Sequence, residues 1–156
     1  QGVRELGVRM KHSPNRAILA GKRVVLIDDS IVRGTTSLKI VRMVREAGAK
    51  EVHLRSASPP IKWPDFYGID MPEREQLLAA NKSLEEMAKF LEVDSLGFLS
   101  VEGLYDALEA GPRDPAAPQF TDHYFTGDYP TRLTDREIAE GRNETNDKQL
   151  SLLVSA

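Results

Sequence analysis

Apolar positions along this chain fall into short runs and helically spaced stripes, and these predict a definite series of elements. Residues 23–27 form an apolar, β-branched run with Gly21 before it and Asp28 and Asp29 after it, the pattern of a central strand covered on both faces. The segment 36–47 places Ile40, Val44 and Ala47 on one helical face, widened by Val41 and Met43, and Gly48 supplies a stop. Residues 51–57 read as a second strand. Strand, loop, helix and strand in about 35 residues make a βαβ unit, with parallel strands and a right-handed crossover. The fold class is therefore α/β.

Past Pro59 and Pro60 the pattern is irregular through Met71 and Pro72, and a helix is predicted within 73–80. Ser83 and Glu86 have the spacing of a capping box, which opens a helix running to Leu91 with Leu84, Met87, Ala88 and Leu91 as its apolar stripe. A short strand is expected over 96–99, and Ser100 is placed to cap a helix over 101–108. Gly111, Pro112, Pro115 and Pro118 then close the compact part. The expected division is an α/β portion over 1–110 and a partly ordered, irregular C-terminal extension over 111–156, whose last stretch, 141–156, is polar and lacks a periodic apolar face.

Composition narrows the function classes. The 156 residues are 40% hydrophobic, enough for the core of about one domain. No apolar run approaches membrane-spanning length and no signal-peptide pattern is visible, so a cytoplasmic protein is expected, with no membrane partner. The absence of cysteine removes disulfides, thiolate metal sites and cysteine nucleophiles from this stretch. Charge is unevenly spread: residues 1–62 hold 13 Lys and Arg against 5 Asp and Glu, while residues 63–110 hold 3 against 11. A basic first block suits an anionic ligand, although Arg42, Arg45 and Lys50 serve equally well as a solvated helix face. Nucleic acid is disfavoured as that anion, because no aromatic residue precedes Trp63 to stack on bases. His12, His53 and His123 stand isolated and are given no catalytic or metal role.

The chemistry concentrates in Val24-Val25-Leu26-Ile27-Asp28-Asp29-Ser30-Ile31-Val32-Arg33-Gly34-Thr35-Thr36-Ser37. The carboxyl end of a parallel strand opens onto the crevice in which α/β sheets bind ligands, so Asp28 and Asp29 are predicted to project there. Paired carboxylates accept hydrogen bonds from vicinal ribose hydroxyls and help hold Mg²⁺. Residues 30–36 offer free N–H groups, a helix N-terminus and the hydroxyls of Ser30, Thr35 and Thr36, which together make a phosphate cradle. Gly34 is expected to let the backbone approach the ligand closely. These features compose a site for a ribose 5-phosphate. A structural strand-end cap is the plain alternative for Asp28 and Asp29. Neither a P-loop nor a Gly-x-Gly-x-x-Gly run is present.

The same fourteen residues resemble the 5-phosphoribosyl-1-pyrophosphate (PRPP) motif of type I phosphoribosyltransferases, and Asp-Asp-Ser-Ile-Val-Arg-Gly-Thr-Thr-Ser resembles its form in the glutamine amidophosphoribosyltransferase family. Pro14-Asn15-Arg16, Arg45-Glu46-Ala47-Gly48-Ala49-Lys50, Ser58-Pro59-Pro60-Ile61, Phe66-Tyr67-Gly68-Ile69-Asp70-Met71-Pro72, Asp94-Ser95-Leu96, Glu102-Gly103-Leu104 and Phe125-Thr126-Gly127-Asp128-Tyr129-Pro130 extend the likeness to about residue 132. The resemblance implies a type I phosphoribosyltransferase-like parallel sheet with flanking helices, present as a partial domain. It also implies transfer of glutamine-derived ammonia to C1 of PRPP, giving 5-phosphoribosyl-1-amine, pyrophosphate and glutamate in the first committed step of purine synthesis. PRPP is then bound by Asp28, Asp29, Ser30, Ile31, Val32, Arg33, Gly34, Thr35 and Thr36, with Mg²⁺ at Asp28 and Asp29. Arg4, Arg9 and Lys11 resemble part of the mobile loop that closes over PRPP, with a plain basic helix as the alternative. Homo-oligomers and feedback inhibition by purine nucleotides are implied as well.

Two departures qualify this picture. The family's glutaminase domain, with its N-terminal cysteine, and the front of its transferase domain have no counterpart here, so the chain is expected to be a fragment that completes neither reaction alone. In one branch of the family, cysteines for a structural iron–sulfur cluster stand where this chain has Asp65, Thr121 and Tyr124. None of the three replaces a thiolate; no iron–sulfur cluster is therefore expected, and hydrogen bonds or apolar contacts should anchor the tail instead. The rival readings are another type I phosphoribosyltransferase, a non-catalytic PRPP-sensing regulator, and a generic phosphate-binding module.

Overall fold

The computed structural model describes residues 14–131 and Leu133. Three strands, β1 (Arg23–Asp28), β2 (Glu51–Ser56) and β3 (Ser95–Phe98), form one sheet in the order β1-β2-β3. Both pairings are parallel, with Leu26 opposite Leu54 and Leu54 opposite Leu96. Side chains alternate between the faces of a strand. This register therefore puts Val24, Leu26, Val52, Leu54 and Leu96 on one face.

That face is covered by helices. The first is α1 (Arg16–Leu19), a single turn capped by the Asn15 side chain, which accepts from the Ala17 N–H at 2.9 Å. The crossover helix α2 (Thr35–Glu46) follows, with Val41 and Val44 buried against Val52. Next come α3 (Leu78–Asn81) and α4 (Leu84–Phe90), which bring Leu78, Ala79, Met87 and Leu91 onto Leu54, Leu96 and Ile31. Ser83 and Glu86 close their capping box reciprocally, the Ser83 hydroxyl accepting from the Glu86 N–H and the Glu86 carboxylate from the Ser83 N–H. Ser100 caps α5 (Val101–Ala107) through the Gly103 N–H at 2.9 Å, and the short α6 (His123–Thr126) ends the described elements.

Three expectations differ from the structure. The strand expected to be central is an edge of the described sheet; Val25 and Ile27 are 59% and 79% exposed, because no element among the described residues covers their face. The helix predicted over 73–80 is broken into a 3₁₀ turn, Arg74–Gln76, and α3, with the extended Leu77 between them. Leu77 is fully buried, and the gain from burying it outweighs the regularity of one continuous helix. Leu84, assigned to the apolar stripe, is 51% exposed, since it is the first residue of α4 and lies beyond the packed turn.

Arg42 and Arg45 of α2 reach across to the turn before β3. Arg42 pairs with Glu92, while Arg45 donates to the Glu92 carbonyl at 2.7 Å and to Asp94 at 2.8 Å. Asp94 in turn accepts from the Val52 N–H at 2.7 Å. These two cations therefore brace the sheet and are committed away from any ligand.

Candidate functional site

Asp28 is the last residue of β1, and α2 begins seven residues later, so the segment between must reverse direction in a tight loop. Three tethers hold it. Ile31 is 2% exposed and belongs to the core with Leu54, Leu78 and Leu96. The carbonyl of Val32 accepts from the Leu78 N–H at 2.9 Å, which explains why α3 starts where it does. Gly34 caps α2 with φ 73°, and its carbonyl takes the first helical bond from the Leu38 N–H at 2.9 Å.

A Cβ built on Gly34 would lie 2.8 Å from Leu78 Cδ2 and 3.1 Å from Leu91 Cδ2. The missing side chain makes room for the core and for a left-handed backbone, a packing role beside the expected one toward a ligand. With Ile31 also in the core, only the backbone of that residue remains available to a bound molecule.

The groups facing outward are those a phosphate needs. Thr35 and Thr36 are exposed in the first turn of α2, Arg33 is exposed just before it, and the leading N–H groups of a helix lack intrahelical acceptors. The N-terminal end of the twelve-residue helix also carries partial positive charge. Beside it, Asp28 accepts from the Asp29 N–H at 3.1 Å on Oδ1 and from the Ser37 hydroxyl at 3.2 Å on Oδ2. Asp29 is exposed and accepts from the Ser30 hydroxyl at 3.2 Å. Carboxylates and a cationic helix end thus lie side by side at the carboxyl edge of a parallel sheet, where α/β folds bind ligands.

For magnesium, no three His, Cys, Asp or Glu side chains gather in a metal-ready group among the described residues. Among the described residues each oxygen of Asp28 carries a single protein hydrogen bond, and Asp29 is exposed, which suits the one or two carboxylates through which Mg²⁺ is held when phosphates and waters complete its shell. Arg4, Arg9 and Lys11 lie outside the described residues.

A second polar centre has no local signal in the sequence. Asp65 and His123, 58 positions apart, form a buried pair, His123 Nε2 donating to Asp65 Oδ1 at 2.9 Å. Asp65 Oδ2 also accepts from the N–H groups of Tyr67 at 2.9 Å and Ile69 at 2.7 Å. Burial alone would push the Asp65 carboxyl up; the Ile69 and Tyr67 N–H groups and the imidazole outweigh it and hold the carboxyl below its ordinary value. His123 is fully buried among Tyr67, Tyr124 and Tyr129, with Tyr124 at 4.1 Å between ring centroids. Burial lowers its pKa despite the Asp65 and Asp122 carboxylates.

Neighbouring contacts extend this clasp. The Tyr124 carbonyl accepts from Lys62 and Trp63, and the Tyr129 hydroxyl donates to the Pro64 carbonyl at 2.9 Å. Gly127, at φ 83°, places its backbone where a Cβ would lie 2.8 Å from Trp63 Cε2. Asp122 accepts from the Tyr105 hydroxyl at 2.8 Å and from Arg113 at 2.6 Å, and Arg113 also reaches Asp128 at 2.7 Å. Hydrogen bonds and ring contacts therefore anchor residues 121–131. Asp65 and Tyr124, two of the three positions where one branch of the resembled family has cysteines, meet around His123, a histidine that no local spacing marks.

No family model matches the chain. Curated relatives do: an amidophosphoribosyltransferase of Rhizobium etli is 60% identical over 156 residues, covering 99% of this chain and 30% of that protein. The amidophosphoribosyltransferase of Methanocaldococcus jannaschii is 53% identical over 138 residues, covering 88% of this chain and 28% of the relative. Among solved structures, the glutamine PRPP amidotransferase of Bacillus subtilis complexed with ADP and GMP superposes with a TM-score of 0.74 at 50% identity, over 86% of this chain and 30% of that one. A second, described as the allosteric regulatory enzyme of purine biosynthesis, gives a TM-score of 0.70 at 44% identity, over 94% of this chain and 32% of that one. The chain thus spans about 30% of the length of the relatives it matches. At these identities and over this sheet, it belongs to the amidophosphoribosyltransferase family, as part of a type I phosphoribosyltransferase domain.

Proposed function

We propose that this chain supplies the ribose 5-phosphate half of a PRPP site in an enzyme that makes 5-phosphoribosyl-1-amine. The observation that carries the reading is the junction of β1 and α2: two carboxylates at a parallel strand end, 28 and 29, beside the hydroxyl-rich first turn of a helix. Thr35, Thr36 and the leading N–H groups of α2 hold the 5-phosphate. Asp28 and Asp29 accept from the ribose hydroxyls and hold Mg²⁺, which offsets the charge of the departing pyrophosphate.

In the reaction, the nitrogen of ammonia forms a bond to C1 of PRPP as the bond from C1 to the pyrophosphate oxygen breaks. Pyrophosphate leaves with the electron pair, and the new ammonium nitrogen loses a proton. The sugar ring develops positive charge as the leaving group departs, and the carboxylates on its hydroxyl side stabilise that charge electrostatically.

The remaining parts of the assignment rest on the family: ammonia from glutamine hydrolysis on a separate domain, a cytoplasmic location, homo-oligomers, and purine nucleotides as inhibitors. The absence of cysteine from the 156 residues supports a tail anchored by the Asp65–His123 clasp in place of an iron–sulfur cluster. Among the described residues no helix is long and apolar enough to cross a membrane.

Ammonia-dependent phosphoribosylamine formation by the full-length polypeptide that carries this chain tests the reading, since ammonia bypasses glutamine hydrolysis. Activity dependent on PRPP and Mg²⁺ is expected in the wild type. Asp28→Asn/Asp29→Asn is expected to lower kcat/KM by at least about a hundredfold with the fold intact. PRPP binding without turnover under any condition would favour the sensing regulator instead.

A further inference from the structure

The two aspartates of the site are held very differently. Asp29 is exposed, and its only described side-chain partner is the hydroxyl of the adjacent Ser30. Asp28 is gripped at both oxygens, by the Asp29 N–H and by the hydroxyl of Ser37, nine residues further along the chain. A carboxylate only accepts, so the Ser37 O–H is the donor. Turning the Asp28 carboxylate about its terminal torsion would break both bonds.

Ser37 is itself unusual. It lies in the first turn of α2 and is 4% exposed, among the few buried polar side chains described. Serine is an ordinary helix residue with no packing advantage over alanine. Its hydroxyl is instead turned toward the strand end, bridging the element that presents the carboxylate and the element that presents the phosphate donors. Four residues on, Val41 fixes the same helix in the core with no exposure at all.

Building on the proposed PRPP site, we propose that Ser37 is a positioning residue: through Asp28 it locks the ribose-hydroxyl acceptor to the phosphate-binding end of α2, so that the two contacts with a phosphorylated sugar act as one rigid unit. Asp28 is then the preorganised acceptor, and Asp29 the adjustable one.

The test is PRPP affinity, by titration calorimetry on the full-length polypeptide, for the wild type, Ser37→Ala, Asp28→Ala and the double variant, with steady-state kinetics and thermal unfolding alongside. Ser37→Ala deletes one oxygen and suits a helix, so folding is expected to persist. The hydrogen bond lost reaches a charged group, so PRPP binding is expected to weaken about tenfold and KM for PRPP to rise with it. In the Asp28→Ala background Ser37→Ala is expected to add nothing, and Ser37→Thr, which keeps the hydroxyl, should retain affinity.

Wild-type affinity in Ser37→Ala together with lost affinity in Asp28→Ala would overturn the positioning role and leave the site standing. Equal losses from Ser37→Ala in both backgrounds would also overturn it, because Ser37 would then act without Asp28. Unchanged affinity in all variants would overturn the underlying PRPP site.

Discussion

At position 34 a single hydrogen decides whether the site can form. A Cβ there meets Leu78 and Leu91 of the core, and the residue must also hold φ 73°. For an L-residue the left-handed backbone costs about 1–2 kcal/mol, and overfilling the packed core costs about 1–3 kcal/mol more. Gly34→Ala should therefore lower the urea midpoint by the equivalent of roughly 2–5 kcal/mol. Were the glycine needed for ligand approach alone, the midpoint would stay put and only PRPP affinity would fall. The motif announced a glycine at this offset, but the purpose of that glycine depends on α3 and α4, whose packing on residue 34 no local pattern shows. The same limit applies to Ser37, whose hydroxyl gains meaning only when the strand end and the helix start are brought within 3.2 Å.

The elements divide by whether their cause is local. Ser83 with Glu86, and Ser100 with Gly103, are caps written within four residues, and both helix starts appear where those residues placed them. The split at Leu77 and the edge position of β1 are set by tertiary packing, so hydrophobic spacing could not announce them. The docking of 62–69 on α6 is also long-range, and it carries a pH signature. His123 Nε2–H donates to Asp65, so the neutral ring leaves Nδ1 as a bare acceptor, buried with no partner among the described residues. Protonation would place an N–H there without an acceptor, and the pKa is accordingly depressed below 6.5 by burial, against the pull of Asp65 and Asp122. With the folded value below the unfolded one, the stability tied to neutral His123 is present above pH 6.5 and is lost as the pH falls through the folded value. Asp65 adds a further loss only below its ordinary value of 3.8. Unfolding free energy measured from pH 7 downward should therefore begin to decline near pH 6.5, and His123→Gln should flatten that part of the curve. An unaltered slope in His123→Gln would show that the decline has another source.

Across the whole molecule, the two faces of the sheet have unequal fates. One face is sealed by α2, α3 and α4. The other carries a polar line, with Glu51 receiving Arg23 at 2.6 Å and His53 at 3.1 Å, and Ser95 meeting His53 at 2.8 Å and Arg55 at 3.0 Å. Beside that line Val25 and Ile27 stand 59% and 79% exposed on an edge strand. The run from Val24 to Ile27 has the composition of a strand covered on both sides, whereas the described residues cover one. An apolar strip on a strand that has no second strand neighbour among the described residues favours association with another chain. Studied by itself, this chain should therefore self-associate as its concentration rises, and the sedimentation coefficient should increase accordingly. Ile27→Lys places a charge at the centre of the strip without touching the sealed face or Asp28, so it should suppress the increase while leaving the unfolding midpoint within about 0.5 kcal/mol of wild type. A wild-type chain that sediments as a monomer throughout the range would mean that the exposed strip is too small to drive contact. Association that persists unchanged in Ile27→Lys would place the contact elsewhere on the surface.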